Sequence, residues 1–498
     1  MAENTPSVTL VGNTLAVLVA AAERTQRGLP TRIISPGGPW GGYFAGVNAG
    51  GRLWDAGMVL YEFTSFRDPG TPPDLATYEA TRRNDIGRFC GVVRDHVAQF
   101  QRTQVVSTPL MHLGGQWLPD LMLSNQLDAL QALPERQLLA QEMRQQGWPA
   151  ADSAPQRWHP RHKQQWPADG TDGHGRPVTF DEVSRQVHGH GLHDAVMVPF
   201  IRKVMNQDDS GLAALYHRMT WLPLFWPETT LSWLEGEGQA LPPTLFHQPV
   251  DEPVAALCQR LVALLNASPL VRIDSGALPH VRRTRTGFEL TLPQGLPEHT
   301  DRLGWALTPR QGLQAFGLPV DDFQEDRLPV TLMFLRMAAQ DVQHLPSVLH
   351  CLDACTGAYR VSSAVSTPEA RRDGLVDLVV EANPHHFDAV HGAGTDDSRV
   401  VAAACHDLHT MGVLHAHASP RFSKVMRLAG ALPLPTHRSL HHYQQEHQTL
   451  RQACPGIELI GPSAGPFANS LSEQIIQGLC LARASLSTSL PEPEGVVH

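Results

Sequence analysis

Residues 8–35 read VTLVGNTLAVLVAAAERTQRGLPTRIIS, and this stretch decides the fold. An apolar run ends at Gly12. A run rich in Ala, Leu and Val follows from about Thr14 to Arg27, and its pattern predicts a helix. Gly28 and Pro30 stop that helix, and Thr31 to Ser35 is a second short apolar strand. Strand, turn, helix and strand in this order form the opening βαβ unit of a dinucleotide-binding domain. The turn matters because a helix N-terminus offers free N–H groups and a positive dipole end to a diphosphate.

The usual fingerprint of such a turn is G-x-G-x-x-G. Here the six positions are Gly12, Asn13, Thr14, Leu15, Ala16 and Val17, so only the first glycine is kept. Thr14 puts a Cβ where backbone ordinarily meets phosphate, and Val17 is bulkier than the glycine that lets helix and strand pack closely. The acid that binds ribose hydroxyls at the end of the second strand is replaced by Ser35, an uncharged hydroxyl. These residues equally allow an ordinary βαβ unit that holds no ligand.

The chain has 498 residues, enough for two or three domains. Its 42% hydrophobic and 18% charged content is that of a globular protein. A net charge of -10, without a long basic run, argues against a nucleic-acid surface. No apolar stretch is long and clean enough to span a membrane. The apolar N-terminus lacks a basic region before it and runs straight into a strand pattern, so a cytoplasmic protein is expected. The seven cysteines (90, 258, 351, 355, 405, 454 and 480) are odd in number and scattered, and read as reduced structural residues.

Further along, residues from about 69 to 146 interleave charged and apolar positions and are expected to be helical. Residues 149–177 are rich in Pro, Gly, Asp, His and Trp and read as loop. The run HGHGLH carries His188, His190 and His193, but its glycines break a helix face and no Cys or carboxylate completes a metal set. His437, His441 and His442 have the same weakness, so no metal site is assigned. Apolar and Trp residues from Trp221 to Trp233 read as a domain interface before a substrate pocket. A helix is expected from about Pro253. Short strands follow at 271–273, 281–285, 288–292 and 303–307, and in VTLMFLRM, AYRVSSAV and GLVDLVVEA. The tail beyond about Leu490 is Pro/Glu-rich and expected to be disordered.

Near the C-terminus GIELI (456–460) reads as a strand, GPSAGPFANS as a turn, and LSEQIIQGLCLARAS as a helix. This is a second phosphate-facing geometry. Here the sequence resembles the flavoprotein superfamily of monoamine oxidases, protoporphyrinogen oxidase, phytoene desaturases and UDP-galactopyranose mutase. That superfamily's last segment reads like GLYLAGD…GxxxNGAIESGLRAA. Other segments fall in the same order. WDAGMVLYEFTS resembles hDlGGHxFHT, and PFIRKVMNQDDSGLAALYHRM resembles FxxPfxrKvwGxdPxeLSAxxxxxR. SPLVRIDSGALPHVRRTRTGFELTL resembles the adenine-side strand and hairpin, and LGWALTPRQGLQAFGLP resembles VVLALPPxxaxxLLG. GALPLPTHRSLHHYQQ resembles the ayPvptxxy segment. The protoporphyrinogen oxidase and mutase branch is the most similar.

The resemblance implies an α/β fold with a Rossmann-like, FAD-binding domain of the glutathione-reductase type and an inserted substrate domain of helices and an antiparallel sheet. The FAD-binding domain is expected from residues 1–61, 254–318 and 440–490, and the substrate domain from 62–253 and 319–439. FAD contacts are implied at Gly12, Asn13, Thr14, Leu15, Ser35, Gly41, Gly42, Leu278, Gly461, Pro462, Ser463, Gly465 and Ser470. Arg218 and Arg360 sit where the mutase branch keeps diphosphate-binding arginines, and both also read as ordinary surface or ion-pair arginines. The departures are equally specific. Pro462 stands for the acid after the last strand, Val59 is near the position of the mutase histidine, and Ala431 and the 465–467 stretch offer neither mutase tyrosine. The expected function is FAD-dependent oxidation of a small organic substrate, with FAD held weakly by the eroded motif. A cofactor-poor binding or scaffold subunit and a nucleotide-sugar mutase are the alternatives. A homodimer or a pathway partner protein is compatible with the sequence, and no catalytic residue is assigned.

Overall fold

The computed structural model describes residues 7–65, 70–79, 85–124, 126–147, 172, 174–206, 211–214, 222, 225, 227–238, 245–363, 374–465 and 470–484. Residues Val8–Val11 form a strand buried at every position, as suits the centre of a parallel sheet covered on both faces. It pairs in parallel with Thr31–Ser35 on one side and Arg302–Trp305 on the other. Val271–Ser275 extends the first side and Glu458–Leu459 the second. Counted along the chain, these five strands lie in the order 3-2-1-4-5. The order reverses between the first strand and Arg302–Trp305, and the crevice beyond their carboxyl ends is where a doubly wound sheet takes its ligand.

The opening helix Leu15–Gln26 and the closing helix Leu471–Arg483 pack together over this sheet, with Ala16, Val19, Ile475, Ile476 and Leu479 in one core. The closing helix starts with a capping box in which Ser470 and Glu473 bond each other's backbone N–H groups. Thr308, Pro309 and Gln311 start the helix Pro309–Ala315 in the same way. Among the described residues no helix is long and apolar enough to cross a membrane.

A seven-stranded sheet stands apart from the parallel one. Its order is Phe422–Pro433, Arg327–Ala338, Leu375–Ala382, Arg360–Ser362, Val348–Cys351, Leu110–Leu113 and Gln116–Pro119. All its neighbours are antiparallel except Val348–Cys351 and Leu110–Leu113. Successive side chains of Leu375–Ala382 alternate between two cores. Val376, Leu378 and Val380 pack with the helix Asp397–Thr410, while Val379 meets Trp54 and Phe334 on the other face. Helices Arg136–Gln145, Phe180–Leu192, Val198–Met205 and Pro227–Glu235 build a further apolar core.

The stretch expected to be helical from 69 to 146 is only partly so. Its helices are Cys90–Val97, Ala129–Ala132 and Arg136–Gln145, and three strands lie between the first two. Two of those strands form a hairpin around Gly114 and Gly115, which hold φ of 62° and 71°. That double left-handed turn matches strand twist and is the reason the segment pairs instead of coiling. The tail beyond Leu490 and most of 149–177 lie outside the described residues.

His96, on the helix Cys90–Val97, lies against the Phe100 ring, and the charges that act on it are those of Glu23 and Arg483, which bond each other at 2.7 Å. Neither ring nitrogen has a hydrogen-bond partner among the described residues. Burial pushes its pKa down to about 4, with Glu23 opposing and Arg483 reinforcing the shift. The folded state therefore keeps this imidazole neutral where the unfolded chain protonates it. Stability from this group is full above the unfolded value of about 6.5 and is lost as pH falls toward 4. At pH 5 the loss is on the order of 2 kcal/mol. Urea titrations at pH 7 and pH 5 should show the wild type losing about that much relative to His96→Leu; parallel losses in both would refute the assignment.

Candidate functional site

Three glycine turns meet at the reversal point of the parallel sheet. Gly12 leaves the first strand at φ +132°, where a Cβ would come 3.0 Å from the Ala306 Cβ beyond the neighbouring strand. Its N–H donates to Ile34 O at 2.8 Å. The Asn13 amide donates to Gly37 O and Pro39 O at 2.9 and 3.0 Å, fastening the loop after the second strand. Gly41, at φ +102°, donates its N–H to Asn13 O at 2.7 Å, and Gly42 also holds a positive φ. Gly461, at φ +58°, lies across from Thr14, whose Oγ1 is 3.3 Å from the position of a Gly461 Cβ.

Thr14 is the N-cap of the opening helix, yet its side chain makes no capping bond. The residue is 8% exposed and its Oγ1 has no hydrogen-bond partner among the described residues. A buried hydroxyl left in that state is costly unless a ligand or water completes it. The N–H of Ala16, in the helix's first turn, donates to Gln474 Oε1 at 3.3 Å. The N–H of Gly461 donates to Gln477 Oε1 at 2.6 Å. The positive-φ turns and the orphaned hydroxyl fit the diphosphate of a dinucleotide, while the N–H groups of Ala16 and Gly461 beside them are paired with side-chain amide oxygens.

Of the residues singled out in the sequence, Gly12, Asn13, Thr14, Leu15, Gly41, Gly42 and Gly461 come together here. Ser35 is buried at the end of the second strand, within 3.4 Å of the Gly37 N–H that its Oγ accepts. Ser463 donates its hydroxyl to Trp305 O at 2.6 Å, and Pro462 O accepts from the Tyr443 hydroxyl at 2.9 Å. Ser470 is occupied as the cap of the closing helix, and Gly465 is buried before it. Leu278 packs with Val281, Phe288 and Leu290 of the antiparallel strands His280–Arg283 and Phe288–Thr291. Arg218 lies outside the described residues.

Arg360 belongs to the seven-stranded sheet and is an ion-pair residue of the interior. It is 3% exposed, and its Nε and Nη2 donate to Glu381 Oε1 and Oε2 at 2.7 and 2.6 Å. Burial opposes its charge, but the Glu381 carboxylate outweighs that and holds its pKa above the ordinary value. Glu381 also accepts from Met58 N at 2.9 Å and from the Tyr359 hydroxyl at 3.3 Å. A Cβ on Gly57 would sit 3.0 Å from that carboxylate. Asp55 in the same segment accepts from Val254 N and Ala255 N at 3.0 and 2.8 Å, at the start of the helix Ala256–Ala267. Burial raises the Asp55 pKa to about 7 against those two bonds. The 54–58 segment is thus tied to both sheets' surroundings by one buried carboxylate on each side.

The histidine run is a hydrogen-bond node. Ser184 Oγ lies 2.8 Å from His188 Nδ1 and 2.7 Å from His193 Nδ1, and His188 Nε2 accepts from Phe225 N at 3.1 Å. The sequence reading passed over Gln474, Gln477 and Glu381. The signal for the glutamines was present: two amides three apart, beside Gly478, in an otherwise apolar helix.

No family model matches the chain, and no curated protein matches it. Solved structures do. The chain is similar to reduced UDP-galactopyranose mutase, with a TM-score of 0.64, 13% identity, and 95% of this chain and 92% of that chain covered. It is similar to a protein from Exiguobacterium sp. 255-15 assigned as a protoporphyrinogen oxidase, with a TM-score of 0.58, 15% identity, and 96% and 98% covered. It is also similar to cyclohexylamine oxidase from Brevibacterium oxydans IH-35A, with a TM-score of 0.55, 12% identity, and 96% and 98% covered. The chain therefore has the α/β, Rossmann-like fold shared by these amine oxidase, protoporphyrinogen oxidase and UDP-galactopyranose mutase structures, the group its sequence resembles.

Proposed function

We propose that the chain is an FAD-dependent oxidoreductase of the amine oxidase and protoporphyrinogen oxidase type, acting on a small organic substrate. The convergence of the Gly12, Gly41–Gly42 and Gly461 turns at the reversal point of the parallel sheet carries this reading. In it, residues 1–61, 254–318 and 440–490 form the cofactor-binding unit, and 62–253 with 319–439 form the substrate unit. Gly12, Asn13, Thr14, Leu15, Gly41 and Gly42 would hold the diphosphate, Ser35 the ribose and Leu278 the adenine side. Gly461, Pro462, Ser463, Gly465 and Ser470 would face the other half of the dinucleotide.

The flavin, when bound, supplies the electron-accepting chemistry. The chain's own part is to bind, to orient and to keep water out. The Arg360–Glu381 pair fixes the Gly57–Met58 backbone, and Asp55 fixes the segment's other end. A second reading, a cofactor-poor binding subunit, is favoured by the glutamine amides that hold the Ala16 and Gly461 donors. Purified full-length protein should show flavin absorption bands, or acquire them on titration with FAD, and release FAD on denaturation. Colourless protein that takes up no FAD would leave the second reading. For substrate class, reduction of bound flavin by amines or by porphyrinogen-like donors is expected; turnover of UDP-galactopyranose by the reduced protein would assign the mutase branch.

A further inference from the structure

Two buried backbone donors beside the reversal point are satisfied from an unusual source. A helix N-terminus is ordinarily capped by the residue that precedes it. Here the cap residue Thr14 leaves its hydroxyl unused, and an amide 458 residues away supplies the acceptor to Ala16. Gln474 and Gln477 stand three apart on the closing helix, share one face, and are 2% and 3% exposed. Each sends its Oε1 to a different wall: one to the first turn of the opening helix, the other to the turn after the last strand. Thr14 Oγ1 lies beside the second wall and has no partner among the described residues. Two N–H groups paired with amide oxygens and one hydroxyl without a partner among the described residues thus lie together beside the reversal point of the sheet.

We propose that Gln474 and Gln477 are an amide plug in the diphosphate site, and that a dinucleotide enters by displacing their side-chain oxygens. This rests on the dinucleotide reading above. Phosphate oxygens make charge-assisted bonds to backbone N–H groups about twice as strong as neutral amides do, so the exchange is favourable but costs affinity relative to an open site. The plug keeps buried donors paired when no ligand is bound and lowers affinity for any ligand that carries a diphosphate there.

The test is FAD titration of the full-length chain, followed by flavin fluorescence, for wild type, Gln474→Ala with Gln477→Ala, and Gln474→Glu with Gln477→Glu. The alanine pair should bind at least about tenfold tighter than wild type, and the glutamate pair at least about tenfold weaker, because its carboxylates keep the N–H groups and repel phosphate. ADP should follow the same order, since only the diphosphate end competes. Equal FAD affinities in all three proteins would overturn the plug and leave the flavin reading standing. Failure of all three to bind, with the alanine pair folded by circular dichroism, would overturn both. Where the alanine pair does not fold, the single alanine variants and the glutamate pair carry the comparison: affinity unchanged from wild type, or no binding by any folded variant, overturns the plug.

Discussion

Replacing Glu381 with alanine should cost about 3–5 kcal/mol of folding stability, because it leaves the buried Arg360 guanidinium without its carboxylate. The two residues are direct cross-strand partners, Arg360 on one strand and Glu381 on the next. Both are almost wholly buried, so solvent cannot take over the lost charge. The same carboxylate accepts from the Tyr359 hydroxyl and from Met58 N, so two more donors lose their partner. Burial, then Glu381 itself, pushes the Tyr359 hydroxyl pKa upward, so that hydroxyl stays a donor at any ordinary pH. The comparison that isolates the pair is Arg360→Met with Glu381→Leu. An apolar pair of similar volume removes both charges together and should recover most of the loss. Chemical denaturation of the two variants and wild type measures this. A double variant no more stable than Glu381→Ala would mean that the loss comes from the Met58 and Tyr359 bonds and not from the unpaired charge.

The opening unit was legible because its signals are local. An apolar strand, a glycine, a long Ala/Leu/Val run and a Gly–Pro stop follow each other within thirty residues, and the backbone obeys them one at a time. The strands at 271–275, 280–283 and 288–291 were legible for the same reason. The stretch 69–146 was misread where interleaved charges mimic a helical face. Gly114–Gly115 between alternating residues was the overlooked hairpin signal. The site was legible only as far as its glycines. Gly12 and Gly461 declare a turn, but that Gln474 reaches Ala16, or that Glu381 faces Gly57, depends on elements hundreds of residues apart being brought together. Nothing in either local sequence encodes the partner. The motif losses at Thr14 and Val17 also read differently once packing is known, because Val17 is fully buried and the tight approach of the opening helix is to the closing helix, at Gly478.

That helix–helix approach gives the second large effect. A Cβ at Gly478 would lie 2.6 Å from the Ala16 carbonyl oxygen and 2.8 Å from the Val19 Cβ, both on the opening helix. The first obstacle is backbone, and the second is the root of a β-branched side chain, so neither can turn aside. The two helices must separate instead. Gly478→Ala should therefore destabilise by about 1–3 kcal/mol, although glycine to alanine inside a helix is otherwise favourable by up to roughly 1 kcal/mol. Gly478→Leu should cost more still. The displacement also acts on the residue next to it, since Gln477 holds the Gly461 N–H at 2.6 Å and cannot follow both the turn and its retreating helix. Thermal and urea unfolding of Gly478→Ala, with Gly28→Ala as the control at a positive-φ position that has no neighbour within 4 Å, separates packing from backbone strain. Gly478→Ala at or above wild-type stability would show that the helices tolerate a wider spacing, and that the close approach does not hold the crevice in shape.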